Sequence, residues 1–161
     1  MHISELETPA VVIDLDVMDQ NLARMAAYCR EHKLLLRPHT KSHKIPELAQ
    51  RQIASGANGI TVAKLGEAEV MLNAGITDIM IACPIVGEEK TARLARLAEQ
   101  ANITVALDSE EAARGISAAA ARQGVMIEVL IEMDVGFRRC GLGNENDLLA
   151  LANVITQLPG L

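Results

Sequence analysis

The stretch Asp-Ile-Met-Ile-Ala-Cys at residues 78–83 decides the fold, because it is apolar almost throughout instead of alternating between apolar and polar residues. Such a run predicts a short strand that is covered on both faces, as the strands of parallel sheets are. An amphipathic helix is predicted before it, over Leu65 to Asn73 with a stop at Gly75, and another after it, over Glu88 to Gln100. A strand between two helices is the unit of a parallel α/β sheet.

The same alternation of strand and helix continues in both directions along the chain. Pro9 opens a first apolar strand, Ala10 to Leu15, and Asp16 is the expected N-cap of a helix that reaches to His32. Further strands are predicted at residues 34–38, 59–63, 103–107 and 126–133, and further helices at 46–55, 109–123 and 147–157. The sequence therefore predicts an α/β protein with a mostly parallel sheet.

The number of units bears on whether the sheet closes into a barrel. After the N-terminal strand and helix there are about five strand-helix units, whereas a TIM-type (β/α) barrel has eight and needs about 250 residues. The residues Pro159-Gly160-Leu161 are typical of a connection from a helix to a further strand. We therefore expect an incomplete barrel, interrupted before its next strand; the alternative is a self-contained open sheet.

Composition excludes several classes of function. The 161 residues include one Phe, one Tyr and no Trp, and 15 Lys and Arg stand against 21 Asp and Glu, which gives a net charge of −6. Base stacking on aromatic rings and a general attraction to phosphate backbones are therefore not expected. We predict no nucleic-acid partner.

Cysteine usage and the absence of apolar segments bear on location. Cys29, Cys83 and Cys140 are widely spaced and odd in number, so they form neither a disulfide framework nor a CxxC metal site. The N-terminal residues lack the pattern of a secretory leader, and no run approaches the roughly 18 apolar residues of a membrane helix. We expect a soluble protein of the reducing cytoplasm with no membrane partner.

The octapeptide Arg-Pro-His-Thr-Lys-Ser-His-Lys at residues 37–44 follows a predicted strand. Strand ends are where α/β proteins place their chemistry, and an amine crowded by other cations holds its proton less tightly. Lys41 is therefore a candidate nucleophile that forms a Schiff base with a carbonyl compound. Lys44 is its competitor, although it sits at the start of the next helix. The alternatives are a solvated basic loop and an anion-binding patch without chemistry.

A second cationic cluster follows the last predicted strand. Arg138 and Arg139 lie between Gly136 and Gly141, which suits either an anion clamp on a flexible backbone or a surface turn. Because strand ends share one edge of a parallel sheet, this pair could meet Lys41 over one pocket.

Other motifs for metal or nucleotide binding are weak or absent. The two histidines of the octapeptide are four residues apart, which is weak evidence for a zinc site. The sequence lacks GxGxxG, Walker A and GxSxG motifs, which argues against dinucleotide, nucleotide and serine-hydrolase functions.

Segments spread over nearly all of the chain carry a resemblance to a known enzyme family. The most specific of them is the octapeptide at residues 37–44 in its position after a strand. A second is the pattern Asp-x-Gly-x-x-Arg-x-Gly, which begins at Asp134. The segments are residues 8–16, 21–25, 37–44, 59–69, 132–136 and 139–141.

In these segments the chain resembles the D-threonine aldolase and D-serine dehydratase family, whose members are fold-type III enzymes with an alanine-racemase-like N-terminal barrel. The resemblance implies pyridoxal 5'-phosphate as cofactor and Lys41 as the residue that forms a Schiff base with it. Arg139 resembles the arginine that lies near the cofactor ring in these barrels. We also expect Arg37 and His39, beside Lys41, to contact the cofactor.

The resemblance also implies a division of the chain. Residues 1–33 would form an N-terminal strand and helix, the strand joining a C-terminal β domain, and residues 34–161 the first part of the cofactor-binding barrel. That β domain, the last three barrel strands and the family's phosphate-binding loops have no counterpart in this sequence. The same holds for the ligands of a divalent metal, Mn, Mg or Zn, so we expect no metal ligand among these residues.

The implied function is that of a pyridoxal-phosphate-dependent lyase acting on D-3-hydroxy amino acids, either aldolase-like or dehydratase-like. Racemisation is less expected, because the early motif is of the aldolase type. The alternatives are a non-catalytic protein that binds the cofactor and an inactive fragment. Parallel strands with two unpaired edges call for a partner, so we expect a homo-oligomer, a dimer.

Overall fold

The structure is a computed structural model that describes residues 2–161. It divides into two compact units, one reaching to Leu35 and the other spanning Leu36–Leu161, which are described separately. The sequence predicted a division between Lys33 and Leu34. None of the described helices is long and apolar enough to cross a membrane.

The first unit contains a 3₁₀ turn, Ile3–Glu5, and one long helix, α1, at Leu15–Glu31. Asp14 caps α1, because its carboxylate accepts the N–H of Val17 at 3.0 Å. This corrects two predictions: the cap is not Asp16, and residues 10–14 form no strand. An extended segment needs a neighbour to pair with its backbone, and Val11 is instead 99% exposed. That residues 10–15 pair with a C-terminal β domain stays a prediction.

The second unit contains one parallel sheet and the helices that connect its strands. The order of the strands is β1-β2-β3-β4, so each strand lies beside its successor in the sequence. The described strands are β1 (Ile60–Val62), β2 (Asp78–Ile81), β3 (Asn102–Leu107) and β4 (Glu128–Ile131). The described helices are α2 (Pro46–Ala54), α3 (Leu65–Asn73), α4 (Glu88–Ala98), α5 (Glu110–Gln123) and α6 (Glu145–Ile155). The α/β class with a parallel sheet is thereby confirmed.

The connecting helices α3, α4 and α5 cover one face of the sheet. Parallel crossovers are right-handed, and because every crossover here steps in the same direction, each helix falls on the same side. In β2 the residues that face these helices, Ile79 and Ile81, are fully buried, whereas Met80 between them is partly exposed. The prediction that strands would be covered on both faces is therefore wrong for β2. The main core lies between the sheet and its helices and includes Ile60, Val62, Met71, Ile79, Ile81, Leu94, Val105 and Ile116.

The predicted strand at residues 34–38 is reduced to an extended segment beside β1. The carbonyl of Leu36 accepts the N–H of Asn58 at 2.8 Å, that of Pro38 accepts the N–H of Thr61 at 2.8 Å, and His39 forms an isolated parallel bridge with Thr61. Because Pro38 has no N–H, it cannot donate in return, so the ladder stays incomplete. The chain still leaves this segment at the C-terminal edge of the sheet.

Unlike the cap of α1, the predicted ends of α3 and α5 agree with the structure. Ser109 caps α5 by accepting the N–H of Ala112 at 3.3 Å, and Gly124 ends the helix with a positive φ of 69°. Helix α3 has the predicted bounds. These ends depend on neighbouring residues only, which is why the sequence predicts them.

Candidate active site

Two loops at the C-terminal edge of the sheet carry the residues that the sequence singles out for chemistry. The first, here called the Lys41 turn, comprises residues 39–44 and leads into α2. The second, the Arg139 loop, comprises residues 132–142 between β4 and α6. Catalytic residues of parallel α/β proteins lie at this edge. Both loops are therefore in the position that an active site requires.

The Lys41 turn is anchored to β1 and braced internally. Thr40 is 1% exposed, and its hydroxyl donates to the carbonyl of Thr61 at 3.1 Å. The imidazole Nδ1 of His39 accepts the N–H of Lys41 at 3.3 Å, and the N–H of Lys44 donates to the carbonyl of Thr40 at 2.8 Å. The side chain of Lys41 is exposed. A well-held turn thus presents an accessible amine at the edge of the sheet.

Glu67, in the first turn of α3, closes the other end of the Lys41 turn. Its carboxylate accepts from Nζ of Lys44 at 2.9 Å and from the N–H of Ala63 at 2.8 Å, and the residue is only 8% exposed. Burial raises the pKa of this carboxyl, but the hydrogen bonds from Lys44 and Ala63 and the charges of Lys44 and Lys64 outweigh burial, so the pKa lies below its ordinary value. Glu67 is therefore a buried anion with partners.

Sequence analysis did not single out Glu67. The available signal was its place three residues after Lys64, the N-cap of α3, where a glutamate commonly binds back to a backbone N–H before the helix. That spacing predicts a bond to the N–H of Lys64, whereas the structure shows it one residue earlier, at Ala63. It does not predict the ion pair with Lys44, which depends on how the preceding turn folds.

His39 is a neutral neighbour of Lys41. Burial of the imidazole lowers the pKa of His39, and the positive charge of Lys41 lowers it further; the backbone hydrogen bond with Thr61 and the charge of Glu67 act in the opposite direction without cancelling the shift. The neutral ring is therefore favoured near pH 7. It adds no second positive charge beside the Lys41 amine.

Arg37 lies at the opposite edge of the sheet from Lys41. Its Nη1 donates to Oδ1 of Asp78, the first residue of β2, at 2.6 Å, and to the carbonyl of Ile60 at 3.5 Å. Gly59 makes room for this guanidinium, because a Cβ there would overlap Nη1 of Arg37. The expected contact between Arg37 and the cofactor stays a prediction, and the position of the side chain does not favour it.

The Arg139 loop is held by two carboxylates. Asp134 accepts the N–H of Gly136 at 2.8 Å and the N–H of Arg138 at 2.9 Å, and Asp108 accepts the N–H of Gly141 at 2.9 Å. The hydrogen bond from Arg138, followed by that from Gly136, lowers the pKa of the Asp134 carboxyl. Arg139 is exposed and forms one wall of a cleft of about 190 Å³ in this loop. The cleft is also lined by Glu132, Val135, Phe137 and Cys140.

Lys41 and Arg139 share the edge but lie at opposite ends of the sheet. The extended segment before Lys41 and the strand before Arg139 are separated by β1, β2 and β3, which amounts to roughly 19 Å measured along the sheet. Burial raises the pKa of the Cys83 thiol, which follows β2 at the same edge. The two loops therefore lie at the two ends of one edge of the sheet.

The described residues do not assemble a metal centre. Across residues 2–161 no group of three or more His, Cys, Asp or Glu side chains is placed to hold a metal ion. His39 and His43 instead use their Nδ1 atoms for the backbone N–H groups of Lys41 and Ile45, the latter at 3.0 Å.

The residues of the Lys41 turn fit the pyridoxal phosphate that the resemblance implies. A cofactor aldehyde requires an accessible amine, and within residues 2–161 Lys41 has no ion-pair partner, in contrast to Lys44. A neutral imidazole adjoins it, and Arg139 offers the planar donors that suit an anionic group. Lys41, His39 and Arg139 could hold the cofactor at this edge.

The chain is similar to known enzymes over nearly its whole length. Residues 13–161 match the family model described as Alanine racemase, N-terminal domain. Over 159 residues the chain is 42% identical to the D-threonine aldolase of Arthrobacter sp., a match that takes in 99% of this chain and 42% of that protein.

Solved structures agree with the sequence match. The D-threonine aldolase from Filomicrobium marinum superimposes with a TM-score of 0.96 at 40% identity, over 99% of this chain and 43% of that one. The D-threo-3-hydroxyaspartate dehydratase from Delftia sp. HT23 superimposes with a TM-score of 0.88 at 38% identity, over 98% of this chain and 42% of that one. The chain therefore spans less than half the length of these relatives, and the predicted fold, part of a (β/α) barrel, is confirmed.

Proposed function

Because the chain belongs to the alanine racemase N-terminal domain family, we propose that it provides the cofactor-binding lysine, Lys41, of a pyridoxal-phosphate-dependent enzyme acting on D-3-hydroxy amino acids. The observation that carries this proposal is the exposed Lys41 amine on a turn anchored through the buried Thr40. Reaction at an amine requires that the group be accessible and held in place. The Lys41 side chain is accessible and the turn that carries it is held, at the edge where such enzymes work.

Three residues of this chain are proposed to hold the cofactor in different ways. Lys41 would hold the cofactor through its amine, and the neutral ring of His39, next to Lys41 in the turn, would add no charge there. Arg139 donates to an anionic group of the cofactor or substrate from the cleft in its loop. When bound, pyridoxal phosphate supplies an electron sink for the negative charge that develops on the α-carbon of an amino acid.

The substrate class is proposed from what the relatives share. A D-threonine aldolase and a D-threo-3-hydroxyaspartate dehydratase both have names that describe a D-amino acid with a hydroxyl on carbon 3. We propose a lyase reaction at that position, either cleavage or dehydration. Racemisation is the less supported alternative.

Three further parts of the proposal rest on the resemblance or on composition. A divalent metal, Mn, Mg or Zn, is proposed as second cofactor without assigning any residue of this chain to it. A homodimer is proposed without assigning any residue of this chain to its interface. A cytoplasmic location is proposed because Cys29, Cys83 and Cys140 are free thiols.

A stereochemical product assay tests this function. The purified protein, supplied with pyridoxal phosphate and Mn²⁺, is incubated with D-threonine or with L-threonine. Cleavage of the D-isomer gives glycine and acetaldehyde, whereas dehydration gives 2-oxobutanoate and ammonia; either result from the D-isomer alone supports the proposal. Inversion at the α-carbon without loss of carbon would identify a racemase instead, and cofactor binding without turnover would favour a non-catalytic binding protein.

A further inference from the structure

The Lys41 turn contains two lysines in different states. Lys44 is bound to the buried Glu67 by an ion pair of 2.9 Å, whereas the exposed Lys41 has no ion-pair partner within residues 2–161. Either amine, three residues apart in the chain, has the chemistry to react with an aldehyde. Something in the structure must therefore distinguish them.

We propose that Glu67 is a positioning residue that selects Lys41 over Lys44 for the cofactor, an inference that rests on the proposed function. Glu67 engages the amine of Lys44 directly and leaves that of Lys41 exposed. It acts through Lys44 and the turn, and is not itself assigned a contact with cofactor or substrate.

The backbone conformation of Lys44 supports this role. Lys44 has a positive φ of 56°, a left-handed conformation that costs a residue with a side chain roughly 1–2 kcal/mol and so needs surrounding contacts to hold it. Two contacts do so: the N–H of Lys44 donates to the carbonyl of Thr40, and its Nζ donates to Glu67. His43 ends the 3₁₀ turn Thr40–Ser42, and the left-handed Lys44 directly after it leads the chain on toward α2.

Glu67 is itself fixed to the sheet. Its second oxygen accepts the N–H of Ala63, which directly follows β1, so the carboxylate joins the turn to the strand end. The residue is 8% exposed. A buried carboxylate with two donors is an anchor that a neutral side chain does not replace, because a charged hydrogen bond is about twice as strong as a neutral one.

The test compares Glu67→Gln with a matched control, Glu69→Gln. Both substitutions are on α3 and remove one negative charge, but Glu69 pairs with Arg93 at 2.6 Å on the helix surface, away from the turn. Each protein is incubated with limiting pyridoxal phosphate and reduced with borohydride, and the labelled peptides are quantified by mass spectrometry. We expect the ratio of label at Lys41 to label at Lys44 to fall about tenfold in Glu67→Gln, as loss of one charged hydrogen bond implies, and not in Glu69→Gln. An unchanged ratio would overturn the proposal.

Amide hydrogen exchange, measured without cofactor, separates this proposal from the function on which it rests. In Glu67→Gln the amides of residues 41–44 are expected to exchange about tenfold faster than in the unmodified protein. Lys44→Met is a second variant for the case that Glu67→Gln does not fold. It breaks the same ion pair from the exposed side, and we expect the same faster exchange in it. If the amides of residues 41–44 exchange at an unchanged rate, the positioning role of Glu67 is overturned whatever the labelling shows. If the unmodified protein takes up no label at Lys41, the proposed function is overturned. The exchange rates then still decide whether Glu67 holds the turn.

Discussion

The guanidinium of Arg37 is ion-paired with the carboxylate of Asp78, with 2.6 Å between Nη1 and Oδ1, at the N-terminal edge of the sheet. The two residues are 41 positions apart in the sequence. They join the extended segment to β2 across Gly59, whose missing side chain leaves the space that the guanidinium occupies. Arg37 therefore has a structural role at the edge opposite Lys41.

Gly59→Ala is expected to break this arrangement. The added Cβ would overlap Nη1 of Arg37 and lie 2.6 Å from Oδ1 of Asp78, so the ion pair has to move. Such overpacking costs about 1–3 kcal/mol, measurable as a lower free energy of unfolding in urea. Gly66→Ala is the control, because nothing lies within 4 Å of its added Cβ and alanine favours the helix there. Equal stability of Gly59→Ala and the unmodified protein would contradict the role given to Arg37.

His39 is expected to make stability depend on pH just below neutrality. Its folded pKa lies below the ordinary 6.5, so between the two values the unfolded chain binds more protons, and the free energy of unfolding rises as pH rises toward 6.5. His39→Gln removes this slope, which urea unfolding from about pH 5 to pH 7 measures. The carboxyls of Glu67, Glu69 and Asp134 have lowered pKa values and titrate below this window. The same slope in both proteins would show that His39 is not responsible.

Asp134→Asn is expected to loosen the Arg139 loop. The carboxylate accepts from the N–H groups of Gly136 and Arg138, and an amide in its place offers a single, uncharged acceptor oxygen. Amides of residues 136–139 should therefore exchange about tenfold faster. Glu110→Gln is a control for lost charge, since Glu110 pairs with Arg114 on α5. Protection that does not change would mean that Asp134 does not hold the loop.

Substitutions of Arg139 and of Arg138 are expected to differ in their effect on the affinity for pyridoxal phosphate. Arg139 lines the cleft and is proposed to donate to an anionic group, so Arg139→Ala should weaken binding of pyridoxal phosphate about tenfold or more. Arg138→Ala keeps a residue with a side chain at the same positive φ of 53° and should change the dissociation constant by less than about twofold. Absorbance titration measures both, and equal losses would argue for a general charge effect instead.

Most helix ends were predictable from the sequence because their signals are local, although the cap of α1 lies at Asp14 and not at the predicted Asp16. Ser109 and Gly124 mark the ends of α5 through bonds to residues no more than four positions away. Strands 10–15 and 34–38 were not predictable in the same way, since a strand exists only if a distant segment pairs with it. Pro38 also removes a donor where the second of these strands would pair.

The residues of the candidate site also differ in how far the sequence predicts them, depending on whether their contacts are local. The position of Lys41 was predictable, because it follows an extended segment whose end meets the C-terminal edge of a parallel sheet; its role stays a prediction. The buried anion Glu67 was not, since its ion pair with Lys44 needs a turn 23 residues away in the sequence to be folded. The ion pair of Arg37 was not predictable for the same reason, because its partner Asp78 lies two strands along the sheet.

The most direct test of the central claim is the identity of the residue that carries the cofactor. The protein is incubated with pyridoxal phosphate, reduced with borohydride, digested and mapped by mass spectrometry, with Lys41→Arg treated in parallel. We predict that the label lies on Lys41 and that Lys41→Arg takes up little, because arginine keeps the charge but does not give up its proton. Label on Lys44 or Lys64 with Lys41 unmodified, or equal labelling of Lys41→Arg, would contradict the account.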